Sequence, residues 1–167
     1  METVHICNDK NNFEDHNFSP FEFWQPKINP VCIDFDMPKC LLDAVQVVRK
    51  YFNQQWQITS VLRPLDPLWS PHRNGTAVDS ICEEVINWAE LLTQLRNEFK
   101  NWQKSELVDH IVKTGCNVLL IENGCLHLSV RDFSLNDTTL GKIYIGEWYP
   151  EMNNPQGINI AYSFNNI

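Results

Sequence analysis

The sequence predicts an α+β domain, with helices packed on one face of a mostly antiparallel sheet. Three observations carry this. Asn123-Gly124 divides two apolar runs in "NVLLIENGCLHLSV", the strongest short hairpin signal, because both turn positions take positive φ. Two long segments, beginning near Met37 and Glu83, repeat their apolar residues at helical spacing. Short strand-like runs lie between and after those segments, and no fixed-period repeat organises them.

Residues 1–30 are polar, asparagine-rich and broken by Pro20, Pro26 and Pro30. They read as an N-terminal arm of extended chain and short turns, laid over the domain through Phe21, Phe23 and Trp24. Residues 31–167 then form a single domain. Its first helix runs from Met37 to Asn53, with Asp36 as N-cap and Pro38 in the first turn, where a missing N–H costs little. Leu41, Leu42, Val45, Val48 and Phe52 give that helix its apolar stripe. "WQITSVL" follows as a buried strand and "RPLDPLWSP" as a proline-punctuated loop. "TAVDSI" is a short strand leading into a second helix over Glu83 to Lys100, whose apolar face is Ile81, Val85, Trp88, Leu92, Leu95 and Phe99. A shorter helix spans Ser105 to Lys113 and stops at Gly115. After the hairpin, "GKIYIGEWYP" and "INIAYSF" are again strand-like.

Composition narrows the function. The chain has 167 residues, 43% hydrophobic and 20% charged, enough for one packed core without disulfides or structural metals. Its net charge of −8 repels phosphate backbones, which argues against a nucleic-acid partner. No apolar run is long enough for membrane insertion. The N-terminus has no apolar signal-peptide region, so cytoplasmic synthesis is expected. The cysteines Cys7, Cys32, Cys40, Cys82, Cys116 and Cys125 include no C-x-x-C pair, and are expected as free, buried thiols in a reducing compartment.

The hairpin fixes geometry. A two-residue turn pairs Glu122 with Cys125, Ile121 with Leu126 and Leu120 with His127. Cys125, His127 and Ser129 then share one face with Leu120 and Glu122, while Leu126, Leu128 and Val130 fill the other. Glu122 becomes a diagonal neighbour of His127. His72 and Asp79 flank a tight turn at Gly75, and His127 comes from a separate strand. Together they offer two imidazoles and a carboxylate, three zinc ligands that leave a fourth position for water, the pattern of a catalytic site.

The motifs "ITSVLRP" (58–64), "SPHRNGTAVD" (70–79) and "CLHLSVRD" (125–132) resemble those of the zinc D,D-peptidases, which share a fold with the Hedgehog signalling domain. The middle motif, S-x-H-x-x-G-x-A-x-D, is specific; the third-histidine motif is weak by itself. The likeness covers Met37 to Asp132. It implies a Hedgehog/D,D-peptidase-like fold with Zn2+ held by His72, Asp79 and His127, and Arg63 close to the substrate. A planar guanidinium there could bind a terminal carboxylate or a developing oxyanion. Ser70 is assigned to the support of His72, and Ser129 to the same supporting shell.

The pattern also departs from the family. Many members carry an acidic base three residues before the last histidine, where this chain has Gly124. Others carry an aspartate two residues after it, where this chain has Ser129. Glu122 is the expected replacement, since the hairpin puts it on the metal face. The resemblance implies a zinc peptidase cleaving peptidoglycan stem peptides, as a D,D-carboxypeptidase or endopeptidase. With no signal peptide, it suits a phage lysin acting in the host cytoplasm and then the periplasm, or a lytic protein of the virion. The alternatives are a catalytically inactive Hedgehog-like binding module and a virion structural protein.

Overall fold

The computed structural model describes residues 1–82, 87–131, 142–148 and 156–163. It is a mixed α+β chain with a two-stranded and a six-stranded sheet.

The small sheet pairs β1 (Thr3–Ile6) with β2 (Phe35–Pro38), antiparallel, with Val4 opposite Met37. Between them lies α1 (Pro20–Trp24), started by a Ser19–Glu22 capping box. Ile6, Phe18 and Phe23 are fully buried in the main core, while Phe21 and Trp24 are half-buried. Asn17 and Gln46 exchange two hydrogen bonds, 2.9 and 2.7 Å, which tie this segment to the following helix.

That helix is α2 (Lys39–Phe52). It starts later than the sequence suggests, and Asp36 is not its N-cap. The ladder to β1 holds residues 35–38 extended, and Pro38, at φ −53° and ψ 125°, is the cap residue. The Asp36 carboxylate instead contacts the His5 ring at 3.0 Å.

The large sheet contains β3 (Gln57–Ser60), β4 (Ala77–Ile81), β5 (Val118–Glu122), β6 (Cys125–Ser129), β7 (Lys142–Trp148) and β8 (Gln156–Ser163), in the order β3-β4-β6-β5-β7-β8. Every pairing is antiparallel except β5 with β7. The expected hairpin is present, with Glu122 opposite Cys125 and Leu120 opposite His127. Asn123 and Gly124 sit at φ 50° and 78°, as a type I′ turn requires. The hairpin inserts β6 between β4 and β5, which sets His127 opposite Asp79.

Strand alternation gives the sheet two unlike faces. Leu119, Ile121, Leu126, Leu128 and Val78 are buried in one core with Leu41, Val45 and Val48 of α2. The same core takes Leu95 and Phe99 of α3 (Trp88–Lys100), and Leu107 and Ile111 of α4 (Glu106–Lys113). The second expected helix is thus described from Trp88 onward, and the part over 83–86 lies outside the described residues. Leu91 is more deeply buried than Leu92, so the α3 stripe sits slightly off the expected one. Ser105 caps α4 by accepting from the Val108 N–H, and Gly115 follows at φ 105°. Arg96 of α3 holds Glu147 of β7 with hydrogen bonds of 2.7 to 3.0 Å, and the Trp88 indole N–H donates to the Gly124 carbonyl at 3.0 Å. Helix α3 thereby braces the hairpin turn through Trp88 and β7 through Arg96.

The cysteines are free, but not uniformly buried: Cys82 and Cys116 are buried, Cys7, Cys40 and Cys125 partly so, and Cys32 is exposed. Cys32 lies on the irregular chain before β2, outside the strands and helices that form the core. Among the described residues, no helix is long and apolar enough to cross a membrane.

Candidate metal centre

The opposite sheet face gathers His72, Asp79 and His127. One ligand atom from each lies within 4.8 Å of the other two.

His72 sits on a 3₁₀ turn, Pro71–Asn74. Two ties to the chain after β3 fix it: its Nδ1–H donates to the Val61 carbonyl at 2.7 Å, and its own carbonyl accepts from the Arg63 N–H at 2.8 Å. With Nδ1 protonated, Nε2 carries the lone pair. That atom is buried and has no hydrogen-bond partner; Asp79 Oδ2 is 3.1 Å away but outside hydrogen-bonding geometry. The turn ends on Gly75 at φ 70°, where a Cβ would stand 2.7 Å from the Phe35 ring, so glycine is required twice over.

Asp79 lies in β4 opposite both Ser60 and His127. Its Oδ1 accepts from His127 Nδ1–H at 2.7 Å. Glu122 Oε2 is 3.3 Å from the same nitrogen, and the other ring nitrogen, Nε2, meets the Ser129 hydroxyl at 3.2 Å. The two imidazoles approach edge to face, with centroids 5.2 Å apart.

Electrostatics follow from this crowding. Burial alone would raise the Asp79 carboxyl, but the His127 hydrogen bond and ring charge outweigh it and hold the group well below the usual carboxylate range. Burial alone would lower the His127 imidazole, yet the Asp79 hydrogen bond and the Asp79 and Glu122 charges raise it. Burial, with the Asp79 and Glu122 charges, pushes the neighbouring Cys125 thiol up to about 12. Its S–H donates to the Glu122 carbonyl at 2.9 Å, so it belongs to the turn rather than to the ligand set.

This arrangement fits a metal ion. The donor set is two imidazole nitrogens and a carboxylate, compatible with zinc. A buried His72 lone pair without a proton donor is the kind of orphan that a cation satisfies. With both imidazoles neutral, Asp79 and Glu122 leave two negative charges that one divalent cation balances. Each histidine turns its second nitrogen to an oxygen, Val61 or Ser129, which fixes ring orientation.

The remaining expected site residues are nearby but differently employed. Arg63 Nε lies 2.9 Å from Asp66 Oδ2. The Ser70 hydroxyl donates to that same oxygen at 2.8 Å, so Ser70 supports the Arg63–Asp66 pair rather than the His72 ring. Asp66 was not singled out in the sequence; its signal was faint, an acidic residue inside a proline-bounded loop. Leu68 and Trp69 are 83% and 81% exposed and line a cavity of about 570 Å³ together with His72, Glu122 and His127. Their signal was clearer: large apolar side chains in a loop with no period to bury them.

No family model matches the chain, nor does any curated protein or solved structure.

Proposed function

We propose that this chain is a zinc-dependent peptidase on the Hedgehog/D,D-peptidase scaffold, hydrolysing peptidoglycan stem peptides as a D,D-carboxypeptidase or endopeptidase, in the setting of a phage lysin or virion-associated lytic protein. The observation that carries the reading is the convergence of His72, Asp79 and His127, with Glu122 3.3 Å from the His127 ring at the edge of an open cleft. The motif likeness supplies the substrate class.

His72 Nε2, an Asp79 carboxylate oxygen and His127 Nδ1 would hold the ion. When bound, zinc supplies Lewis acidity toward a carbonyl oxygen and makes water a nucleophile near neutral pH. Glu122 is the group placed to take a proton from the attacking water and return it to the departing amine nitrogen, being partly exposed and anchored at a strand end. Arg63 lines the same cleft, and its guanidinium can stabilise negative charge on the substrate. Val61 and Ser129 keep the imidazoles oriented throughout.

Glu122→Gln tests this. It should retain zinc while lowering turnover of a purified muropeptide by about 10²- to 10⁴-fold, as loss of a general base does. Equal turnover in both proteins would remove Glu122 from the mechanism.

A second reading has its own support. Gly124 occupies the position of the family's base as a turn residue at φ 78°, and Ser129 spends its hydroxyl on His127. Both suit a catalytically inactive binding module or virion structural protein. Full zinc occupancy without muropeptide turnover in the wild type would favour the binding module, and absence of zinc the structural protein.

A further inference from the structure

The loop between β3 and the His72 turn exposes more apolar surface than the metal centre explains. Leu65 is 99% exposed, and Leu68 and Trp69 are nearly as open, so three large apolar side chains stand in water within five residues. A ligand in the cavity beside His72 could cover Leu68 and Trp69, which line it, but Leu65 does not line it. Covering Leu65 takes a surface outside the cleft.

The loop is held in this shape from within. Asp66 Oδ2 is 2.9 Å from Arg63 Nε and accepts from the Ser70 hydroxyl at 2.8 Å, and the Asp66 carbonyl accepts from the Arg73 guanidinium at 2.6 Å. Asp66 is the one charged residue between Pro64 and Ser70, and it is paired. Backbone donors are also few. Pro64 and Pro67 have no N–H, and those of Asp66 and Ser70 donate to the Arg63 and Pro67 carbonyls at 3.1 and 2.9 Å. A loop with its charge paired and few loose donors leaves water at low cost.

Its size and the charge of the chain select the partner. A stable protein interface buries about 800 Å² on each side, through roughly 20–30 residues. Three apolar side chains on one loop fall far short of that. They suit a medium that each can enter singly, and tryptophan concentrates where hydrocarbon meets water. The net charge of −8 opposes anionic headgroups, so the lipid surface that fits is zwitterionic.

We propose that the 64–69 loop docks this protein on a zwitterionic phospholipid bilayer, lying on it rather than crossing it, with Leu65, Leu68 and Trp69 in the interface. Docking sets the mouth of the cavity, and with it the candidate metal centre, at the membrane surface. Docking of this kind does not depend on the peptidase reading: it fixes where the centre is held, whatever reaction runs there.

Sedimentation of the full chain with vesicles of phosphatidylcholine and phosphatidylethanolamine is the test. The wild type should partition onto the vesicles, its tryptophan emission should shift to the blue, and brominated acyl chains should quench it. Trp69→Phe should remove most of that quenching. Leu65→Ser, at a position open to water in the folded chain, should lower partitioning about tenfold. Leu65→Ser combined with Trp69→Ser should abolish it, with thermal melts and zinc content unchanged. Tyr51→Ser, at an exposed position of α2, should bind as the wild type does. Failure of the wild type to partition overturns the proposal, as does binding that the double substitution leaves intact. Binding that appears only with phosphatidylglycerol and disappears with salt also overturns it, since charge alone then drives the contact. Self-association that depends on Leu65, without vesicle binding, overturns it in favour of a second copy of the chain.

Discussion

Two of the histidine–aspartate clusters among the described residues differ in a way that separates a structural ion pair from a candidate metal site. On the surface of α2, Asp43 accepts from His16 Nε2 at 2.8 Å and from the Lys39 ammonium at 2.7 Å, while His16 Nδ1 is 2.6 Å from the Glu14 carbonyl. Both carboxylate oxygens and both ring nitrogens are engaged, and a lysine ammonium closes the cluster. On the sheet face, Asp79 lies between two imidazoles, Glu122 adds a second carboxylate, and the His72 Nε2 lone pair is buried without a donor. The first cluster is complete as it stands. The second leaves a buried nitrogen lone pair unanswered, and that orphan marks it out.

The comparison breaks most visibly at the two aspartates. Asp79→Asn should lower zinc affinity by more than about 100-fold, since even residues that merely orient ligands cost 10- to 100-fold. Asp79→Ala, measured by urea denaturation of metal-free protein, should cost about 3–5 kcal/mol, because the buried His127 ring loses the carboxylate its Nδ1–H donates to. Normal zinc stoichiometry in Asp79→Asn would end the metal assignment.

A second contrast lies between two glycines that serve the same sheet. Gly75→Ala places a Cβ 2.7 Å from the Phe35 ring at φ 70°, so left-handed strain and overpacking add to about 2–4 kcal/mol. The strain falls on the turn carrying His72, so zinc affinity should drop with stability. Gly124→Ala meets nothing within 4 Å at φ 78° and should cost only about 1–2 kcal/mol. If thermal melts show the two variants equally destabilised, the Phe35 contact does not constrain the His72 turn.

These residues also show how far the sequence could be read. The hairpin was legible because Asn123-Gly124 sets its own register, and from that register the shared face of Glu122 and His127 follows by alternation. The facing of Asp79 and His127 was not legible from local pattern, because it depends on β6 inserting between β4 and β5, a long-range pairing. The motif likeness anticipated the gathering without supplying its geometry. Asp36 misled for a related reason: its capping propensity is local, while the β1 ladder that claims residues 35–38 comes from the far end of the segment. The Ser70–Asp66–Arg63 arrangement depends on loop geometry that no periodicity encodes.

Zinc itself sharpens the contrast at intermediate size. At a free concentration near 100 times its dissociation constant, zinc should stabilise the wild type by about 2.7 kcal/mol. For a chain of this length, that raises Tm by roughly 5–10 °C. The shift should vanish in Asp79→Asn and persist in His16→Gln. A zinc-induced shift that survives Asp79→Asn would mean the ion binds elsewhere.

The smallest expected effect lies at the surface cluster and completes the comparison. Asp43 is 28% exposed and His16 13% exposed, so water screens and partly replaces what the pair provides. Removing the Asp43 carboxylate frees a lysine that solvent can hydrate. Asp43→Ala should therefore cost less than about 1 kcal/mol in denaturant titrations and leave zinc binding unchanged. A loss as large as that of Asp79→Ala would show that burial and completeness do not separate the two clusters, and the orphaned-nitrogen argument for the sheet-face site would lose its control.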